Sequence, residues 1–228
     1  MLASIIDVFF PKRCFCCEAQ LEDFEFDVCV TCRHDLPVTN FHELQNNEVF
    51  KLLYGRIKIE QATALFYFYK KGIVQHMLHN LKYKGNENIG VFTGKWLGSE
   101  LSQIESYKNI DIVIPVPIHK KRLKERGYNQ VAKFSKEISK SLNANYIDDI
   151  LLKKSKTKTQ VFKDRFKRWK DIQGTFHLSG NAKKIEGKHI LLTDDVITTG
   201  ATIETCTSLL LQIKNVKISV AFMAITMS

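Results

Sequence analysis

The chain has 228 residues, a hydrophobic content of 44%, an aromatic content of 11% and a formal net charge of +10. These values exclude a disordered chain, and the apolar runs are too short for the roughly 20 residues that span a bilayer. The opening segment 1–10 is apolar but lacks a basic leader and carries Asp7, so we predict a cytoplasmic protein without membrane insertion.

Cysteines are concentrated near the start of the chain. Five of the six lie in the first 32 residues, and four of these form two Cys-x-x-Cys pairs separated by 11 residues. Each pair suits a tight turn, so the four thiolates can converge on a structural zinc ion, whereas disulfides suit secreted domains. We therefore predict a zinc-binding module over residues 1–45, with Cys16 and His34 as alternative ligands. The predicted ligands are Cys14, Cys17, Cys29 and Cys32.

Strand and helix patterns alternate over residues 46–228, after an opening helix that stops near Pro11 and a polar connection at 42–55. The predicted strands are 63–69, 111–114, 146–147, 174–178, 190–192 and 217–225. The predicted helices are 73–81, 89–104, 131–142 and 202–213. A polar, basic segment at 153–170 lacks periodicity and is predicted to be a long loop. The alternation predicts an α/β domain with a parallel sheet flanked by helices and with sites at the carboxyl ends of the strands.

The stretch 189–202 joins an apolar run to the adjacent carboxylates of Asp194 and Asp195, and then to a hydroxyl- and glycine-rich turn that opens a helix. Such a turn favours a phosphate, because a helix N-terminus has unsatisfied N–H groups and a positive dipole end. The carboxylates would repel phosphate and should face ribose hydroxyls or a magnesium ion. The stretch predicts a ribose 5-phosphate site, against the alternative of an ordinary threonine-capped turn. The turn residues are Val196, Ile197, Thr198, Thr199, Gly200, Ala201 and Thr202.

A second polar segment follows the strand at 111–114. Its prolines fix the turn, Arg122 and Arg126 offer forked donors to phosphate oxygens, and Gly127 permits a positive φ. A basic loop followed by a helix cap is the alternative. The residues of interest are Pro115, Val116, Pro117, Arg122, Arg126, Gly127, Asn129 and Gln130.

Positive charge is confined to one part of the chain. Between His119 and Lys170 there are 17 Lys or Arg and 5 Asp or Glu, while the remainder holds 17 basic and 19 acidic residues. This segment favours a polyanion, either nucleic acid or pyrophosphate. Aromatic side chains in it could stack on unpaired bases, although we expect Phe134 to be a core residue. These aromatics are Tyr128, Phe134, Phe162, Phe166 and Trp169.

The stretch from Asp194 to Thr202 resembles the phosphoribosyl pyrophosphate (PRPP) signature of type I phosphoribosyltransferases, in which two acidic residues precede a Thr-Thr-Gly-x-Thr turn. Together with the prolines, the Arg-x-x-x-Arg-Gly-Tyr-Asn-Gln run and the cysteine pairs, it resembles the ComF family, competence protein F, over essentially the whole chain. Residues 82–85, Lys-Tyr-Lys-Gly, are similar to that family's Lys-Tyr-x-Gly segment. Residues similar to its mobile loop are Lys158, Thr159, Gln160 and Arg165.

The resemblance implies a type I phosphoribosyltransferase-like fold that binds magnesium and PRPP and acts in natural transformation, with single-stranded DNA and DNA-uptake proteins as partners. Asp194 and Asp195 would be the catalytic pair on the ribose hydroxyls, and the second polar segment would receive pyrophosphate. Two alternatives stay open. One is an active nucleobase phosphoribosyltransferase, for which only Phe222 and Met223 suggest a base pocket. The other is a single-stranded DNA-binding module with a vestigial PRPP site.

Overall fold

The computed structural model describes residues 11–153 and 175–227. A five-stranded parallel sheet lies at its centre. The strands in chain order are β1 (Ala62–Phe68), β2 (Ile112–Pro115), β3 (Asn145–Tyr146), β4 (Leu151–Lys153), β5 (Phe176–Leu178), β6 (His189–Ile197) and β7 (Lys217–Thr226). The sheet has the order β1-β7-β6-β2-β3, and all its neighbouring strands are parallel. A separate antiparallel ribbon joins β4 to β5.

Helices cover both faces of the sheet. They are α1 (Val30–Asp35), α2 (Glu48–Leu53), α3 (Ile73–Tyr83), α4 (Asn88–Gln103), α5 (Lys120–Arg126), α6 (Ala132–Ser141) and α7 (Ala201–Leu210). Side chains alternate across a strand, so Leu191 of β6 joins one core with α3, α4 and α6, while Ile190 and Leu192 join the other with α2 and α7. Burial on both faces explains the apolar runs 112–114 of β2 and 190–192 of β6. Among the helices of the described ranges, none is long and apolar enough to cross a membrane.

The cysteine-rich segment packs onto this domain through a shared core. Cys14 and Cys16 belong to the same buried cluster as Met77 of α3 and Phe92 of α4. The connection continues through an isolated bridge between Val38 and β1. The module therefore rests against α3 and α4.

The predicted fold class is confirmed by the parallel sheet, its flanking helices and the grouped cysteines. Three local expectations differ from the structure. The polar connection contains α2, whose N-cap Asn47 accepts a hydrogen bond from the Phe50 N–H at 3.0 Å. The basic segment after β2 contains α5, and β6 continues to Ile197, so the acidic pair lies inside the strand. The opening helix expected before Pro11 lies outside the described residues.

Close packing of α4 against α6 depends on small residues on one face of α4. A Cβ added to Gly94 would lie 2.6 Å from the Phe134 carbonyl oxygen and 2.9 Å from the Glu137 Cβ. At Gly98 it would lie 2.7 Å from the Ser141 hydroxyl. The two backbones can approach only because these side chains are absent.

Gly94→Ala should therefore destabilise the protein. Overpacking against a backbone carbonyl costs roughly 1–3 kcal/mol, which outweighs the gain of up to about 1 kcal/mol in helix propensity. Urea denaturation measures the change in the free energy of unfolding. The matched control is Ser99→Ala on the exposed side of the same helix, which should change stability by no more than about 0.5 kcal/mol. Equal midpoints for Gly94→Ala and the parent would contradict the packing argument.

Candidate functional site

The four predicted cysteine ligands converge. The Sγ atoms of Cys14, Cys17, Cys29 and Cys32 all lie within 4.8 Å of one another. The Cys17 and Cys29 sulfurs are 3.8 Å apart, close to the edge of about 3.8 Å for a tetrahedron with Zn–S bonds of about 2.3 Å. The cluster could therefore bind a metal such as zinc.

Backbone N–H groups surround the sulfurs of this cluster. The N–H of Cys29 donates to Cys14 Sγ at 3.4 Å, and the N–H of Cys32 donates to Cys29 Sγ at 3.5 Å. Burial alone would raise the pKa of the Cys14 thiol, but hydrogen bonds from the backbone of Cys17, Cys29 and Cys16 outweigh it and lower this pKa to about 7. The surroundings thus favour a thiolate at Cys14, the form that binds metal.

Neither alternative ligand belongs to the cluster. Cys16 is buried with its Sγ 4.0 Å from Met77 Sδ, and burial raises its pKa to about 12. His34 is 89% exposed, with Nδ1 3.2 Å from Asp35 Oδ1. The structure therefore excludes both side chains from the four-sulfur set.

At the carboxyl end of β6, Asp195 is buried and both of its carboxylate oxygens have partners. Its Oδ2 lies 2.8 Å from Lys82 Nζ and accepts a hydrogen bond from Gln130 Nε2 at 3.0 Å. Its Oδ1 accepts the N–H of Val196 at 2.7 Å. The sequence pattern around Lys82 indicates no role for this residue, because only the tertiary structure brings the end of α3 to β6.

The surroundings of Asp194 favour its protonated form. Its Oδ1 accepts the N–H of Asp195 at 2.9 Å. Burial in the first place, and repulsion from Asp195 in the second, raise the pKa of Asp194 to about 8. A protonated carboxyl group can both donate to and accept from a hydroxyl group. The pair is therefore suited to hydroxyl groups of a ligand.

A second lysine borders the acidic pair from the β4–β5 ribbon. Burial lowers the pKa of Lys153, and attraction to Asp194 opposes that shift. The Lys153 ammonium lies 4.7 Å from the centre of the Phe176 ring. Lys82 and Lys153 thus bring positive charge to the pair from two different elements.

Only part of the predicted phosphate turn, 196–202, lies between β6 and α7 in the structure. Val196 and Ile197 belong to β6, and Ile197 is a core residue. Thr198 and Thr199 are exposed, Gly200 is the N-cap of α7 with φ +76°, and Ala201 and Thr202 form the first turn of the helix. A Cβ at position 200 would lie 2.8 Å from Leu53 Cδ2, so φ and space both require glycine.

Arg56 contacts this turn and was missed from the sequence. Its Nη1 donates to the Thr199 carbonyl at 2.7 Å, and its Nε donates to Glu204 Oε2 at 3.2 Å. The residue follows α2 in a polar connection without a motif. No local signal could have identified it.

The second polar segment is brought to the acidic pair through Gln130. Gln130 Nε2 donates to Asp195 at 3.0 Å, and its Oε1 accepts from Arg126 Nη1. Asn129 Nδ2 donates to the Val116 carbonyl at 3.0 Å, and Gly127 ends α5 with φ +86°. Pro115 closes β2 and Pro117 follows it, partly buried.

A pocket of about 360 Å³ lies between the end of α3 and α5. Its lining is Lys82, Tyr83, Gly85, Arg122, Glu125 and Arg126. Three of these residues are cations and one is a carboxylate, which favours an anion. Since Lys82 also contacts Asp195, the pocket is contiguous with the acidic pair.

Other predicted residues take no part in the described site. Phe134, Phe222 and Met223 are fully buried in the core, and the Tyr128 hydroxyl donates to the Leu81 carbonyl. Phe222 and Met223 therefore line no base pocket. Lying outside the described residues are Lys158, Thr159, Gln160, Phe162, Arg165, Phe166 and Trp169.

The fold and site together define a parallel α/β protein with a strand-end acidic pair and a four-cysteine cluster. No protein-family model matches the chain. It is similar to DNA utilization protein YhgH of Escherichia coli O157:H7, with 26% identity over 139 residues that cover 60% of this chain and 60% of YhgH. Competence protein F of Haemophilus influenzae is 31% identical over 100 residues, 44% of each chain. Competence protein ComFC of Bacillus subtilis is 24% identical over 205 residues, covering 88% of this chain and 78% of ComFC. The predicted resemblance to competence protein F is thereby confirmed.

Solved structures similar to this one carry names of PRPP-related proteins. A glutamine PRPP amidotransferase from B. subtilis has a TM-score of 0.44 at 16% identity, covering 64% of this chain and 30% of that protein. An adenine phosphoribosyltransferase has a TM-score of 0.39 at 15% identity, covering 65% and 75%.

Asp194→Asn is expected to stabilise the protein at neutral and alkaline pH. The pKa of Asp194 is raised from about 3.9 in an unfolded chain to about 8 in the fold. The folded chain therefore holds this proton more tightly, and the stability that it contributes is lost as pH rises between those values. Asparagine does not titrate, so the advantage of the variant should grow across this window in urea denaturation at about pH 5, 7 and 9.

Asp111→Asn serves as a control, because its expected effect on stability has the opposite sign. The N–H of His189 donates to Asp111 at 2.8 Å and is the main cause of its lowered pKa. That carboxylate stabilises the fold above its unfolded pKa, and the contribution is lost as pH falls. Its replacement should therefore destabilise the protein at neutral pH. A pH-independent effect of Asp194→Asn would contradict the assignment.

Proposed function

We propose that this protein binds PRPP with magnesium at the carboxyl end of β6 and acts in natural transformation, the uptake of DNA. The observation that carries the proposal is the contact of Asp195 with both Lys82 and Gln130. This contact places the acidic pair, which suits ribose hydroxyls, directly beside the cationic pocket, which suits phosphates. The similarity to proteins named competence protein F and ComFC supports the role in DNA uptake.

Each part of PRPP has a matching group of residues in this proposal. Asp194 and Asp195 hold the ribose hydroxyls, and the segment from Thr198 to Thr202 holds the 5-phosphate through N–H groups at the start of α7. The pyrophosphate lies against Arg122 and Arg126, whose forked guanidinium groups suit phosphate oxygens. Magnesium that accompanied PRPP would neutralise part of the charge of the pyrophosphate.

Transfer to an acceptor is a separate part of the proposal. Breaking the bond between the ribose carbon and pyrophosphate leaves positive character on the ribose ring and negative charge on the leaving group. Lys82, Arg122 and Arg126 stabilise that leaving charge electrostatically. A screen of candidate acceptors with PRPP-loaded protein tests whether transfer occurs.

The four-cysteine cluster is proposed to hold structural zinc. Four sulfurs complete a tetrahedral shell and leave no open position for a substrate, which excludes a catalytic role for such an ion. The cluster shares a buried core with α3. Zinc there would stabilise the helix that carries Lys82.

A single-stranded DNA-binding module is the second candidate. Five of the seven residues of α5 are Lys or Arg and none of them is buried. Tyr83, beside this helix, is 70% exposed with Arg126 5.6 Å from its ring centre. A basic helix next to an exposed aromatic ring is suited to an unpaired base and its phosphate.

Calorimetric titration with PRPP and magnesium tests the leading proposal. The parent should bind saturably, and Asp195→Asn should bind at least about tenfold more weakly because it loses a charged acceptor. Asp23→Asn, an exposed carboxylate in the cysteine module, is the matched control and should bind like the parent. No saturable binding by well-folded parent would reject the proposal. Salt-dependent oligonucleotide binding that Arg122→Gln weakens would then favour the DNA-binding module.

Metal analysis tests the cysteine assignment. The purified parent should contain about one zinc ion per chain, and Cys17→Ser should lose most of it together with thermal stability. Cys16→Ser, which removes the neighbouring sulfur that lies outside the cluster, should retain the metal. Plasma mass spectrometry of the folded fraction gives the zinc content. The reverse pattern in the two variants would show that the ligand set is wrong.

A further inference from the structure

Arg56 ties the connection after α2 to two successive parts of the predicted phosphate site. Its Nη1 donates to the Thr199 carbonyl at 2.7 Å and to the Leu52 carbonyl at 3.2 Å. Its Nε donates to Glu204 Oε2 at 3.2 Å, and its Nη2 forms an ion pair with the same oxygen. One guanidinium group thus contacts the turn, the first turn of α7 and its own chain segment.

The contact with Thr199 controls the direction of the next N–H group. A trans peptide is planar, so its carbonyl and its N–H point to opposite sides. Because Arg56 holds the Thr199 carbonyl on the α2 side of the turn, the Gly200 N–H points to the other side. Leu53 closes the α2 side, since a Cβ on Gly200 would lie 2.8 Å from its Cδ2.

The contact with Glu204 has an electrostatic consequence. Glu204 lies in the first turn of α7 and its side chain is 18% exposed. A carboxylate at this position repels a phosphate that binds at the start of the same helix. The ion pair with Arg56 offsets that repulsion.

We propose that Arg56 is a positioning residue for the 5-phosphate. It holds the Thr199–Gly200 peptide with its N–H directed into the phosphate site and neutralises Glu204. The side chain itself is occupied by protein acceptors and does not bind the ligand. This inference rests on the proposed function, because it requires that the turn bind the phosphate of PRPP.

A comparison of PRPP with inorganic pyrophosphate tests the inference. Both ligands carry a pyrophosphate group, but only PRPP has a 5-phosphate. Arg56→Gln should weaken PRPP binding about tenfold or more, the effect of about 1.4 kcal/mol, and leave pyrophosphate binding unchanged. Lys58→Gln removes a positive charge from the same connection, where the side chain is exposed, and should leave both affinities unchanged.

Two further variants separate orientation from charge. In Arg56→Gln combined with Glu204→Gln, the repulsive carboxylate is gone but the Thr199 carbonyl is still released, so PRPP binding should stay weak. Arg56→Lys keeps the positive charge but lacks the forked guanidinium group, so it should retain only part of the PRPP affinity of the parent. Full recovery in the double variant would overturn the orienting role.

The remaining outcomes are distinguishable. Parent-like PRPP affinity in Arg56→Gln, or an equal loss for PRPP and pyrophosphate, would overturn the inference because the effect would be absent or general. If the parent binds pyrophosphate but not PRPP, the proposed function itself fails and the inference fails with it. Thermal denaturation of each variant confirms that the folded protein is compared.

Discussion

The paired carboxylate of Asp195 is the constraint on which the candidate site depends. A buried charge without partners costs several kcal/mol, and Asp195 is only 8% exposed. Its partners are Lys82 from α3 at 2.8 Å and Gln130 from the segment before α6 at 3.0 Å. Satisfying one side chain therefore fixes α3, the α5–α6 segment and β6 relative to one another. Gln130 extends the network to Arg126 and so to the cationic pocket.

Helix α3 links this network to the cysteine module. Its His76 contacts the Cys16 carbonyl, its Met77 contacts the Cys16 sulfur at 4.0 Å, and Lys84 beyond its end pairs with Glu18. Lys82 lies on the same helix, one turn after the buried contacts. The described part of the module thus contacts the helix that carries Lys82.

Hydrophobic periodicity identified the larger elements and missed the short helices α1, α2 and α5. In α2 four of the six residues are apolar, but a segment of six residues is too short to show helical periodicity. In α5 no residue is buried, so this helix has no apolar face that hydrophobic periodicity could reveal. The grouping of the four cysteines was predictable because spacing along the chain sets the geometry of each pair. The acidic pair was predictable for a similar reason, since strand, carboxylates and turn are contiguous.

The sequence by itself determined the chemistry that neighbouring residues can hold: two cysteine pairs, an acidic pair before a glycine turn, and an alternation of strands and helices. The tertiary structure alone decided which distant side chains complete these sites. Arg56 and Glu204 are separated by 148 positions, and Gln130 and Asp195 by 65. It also excluded Cys16 from the cluster by turning its sulfur into the core. Such contacts depend on how the helices pack on the sheet, and packing is a property of the whole chain that no local pattern encodes.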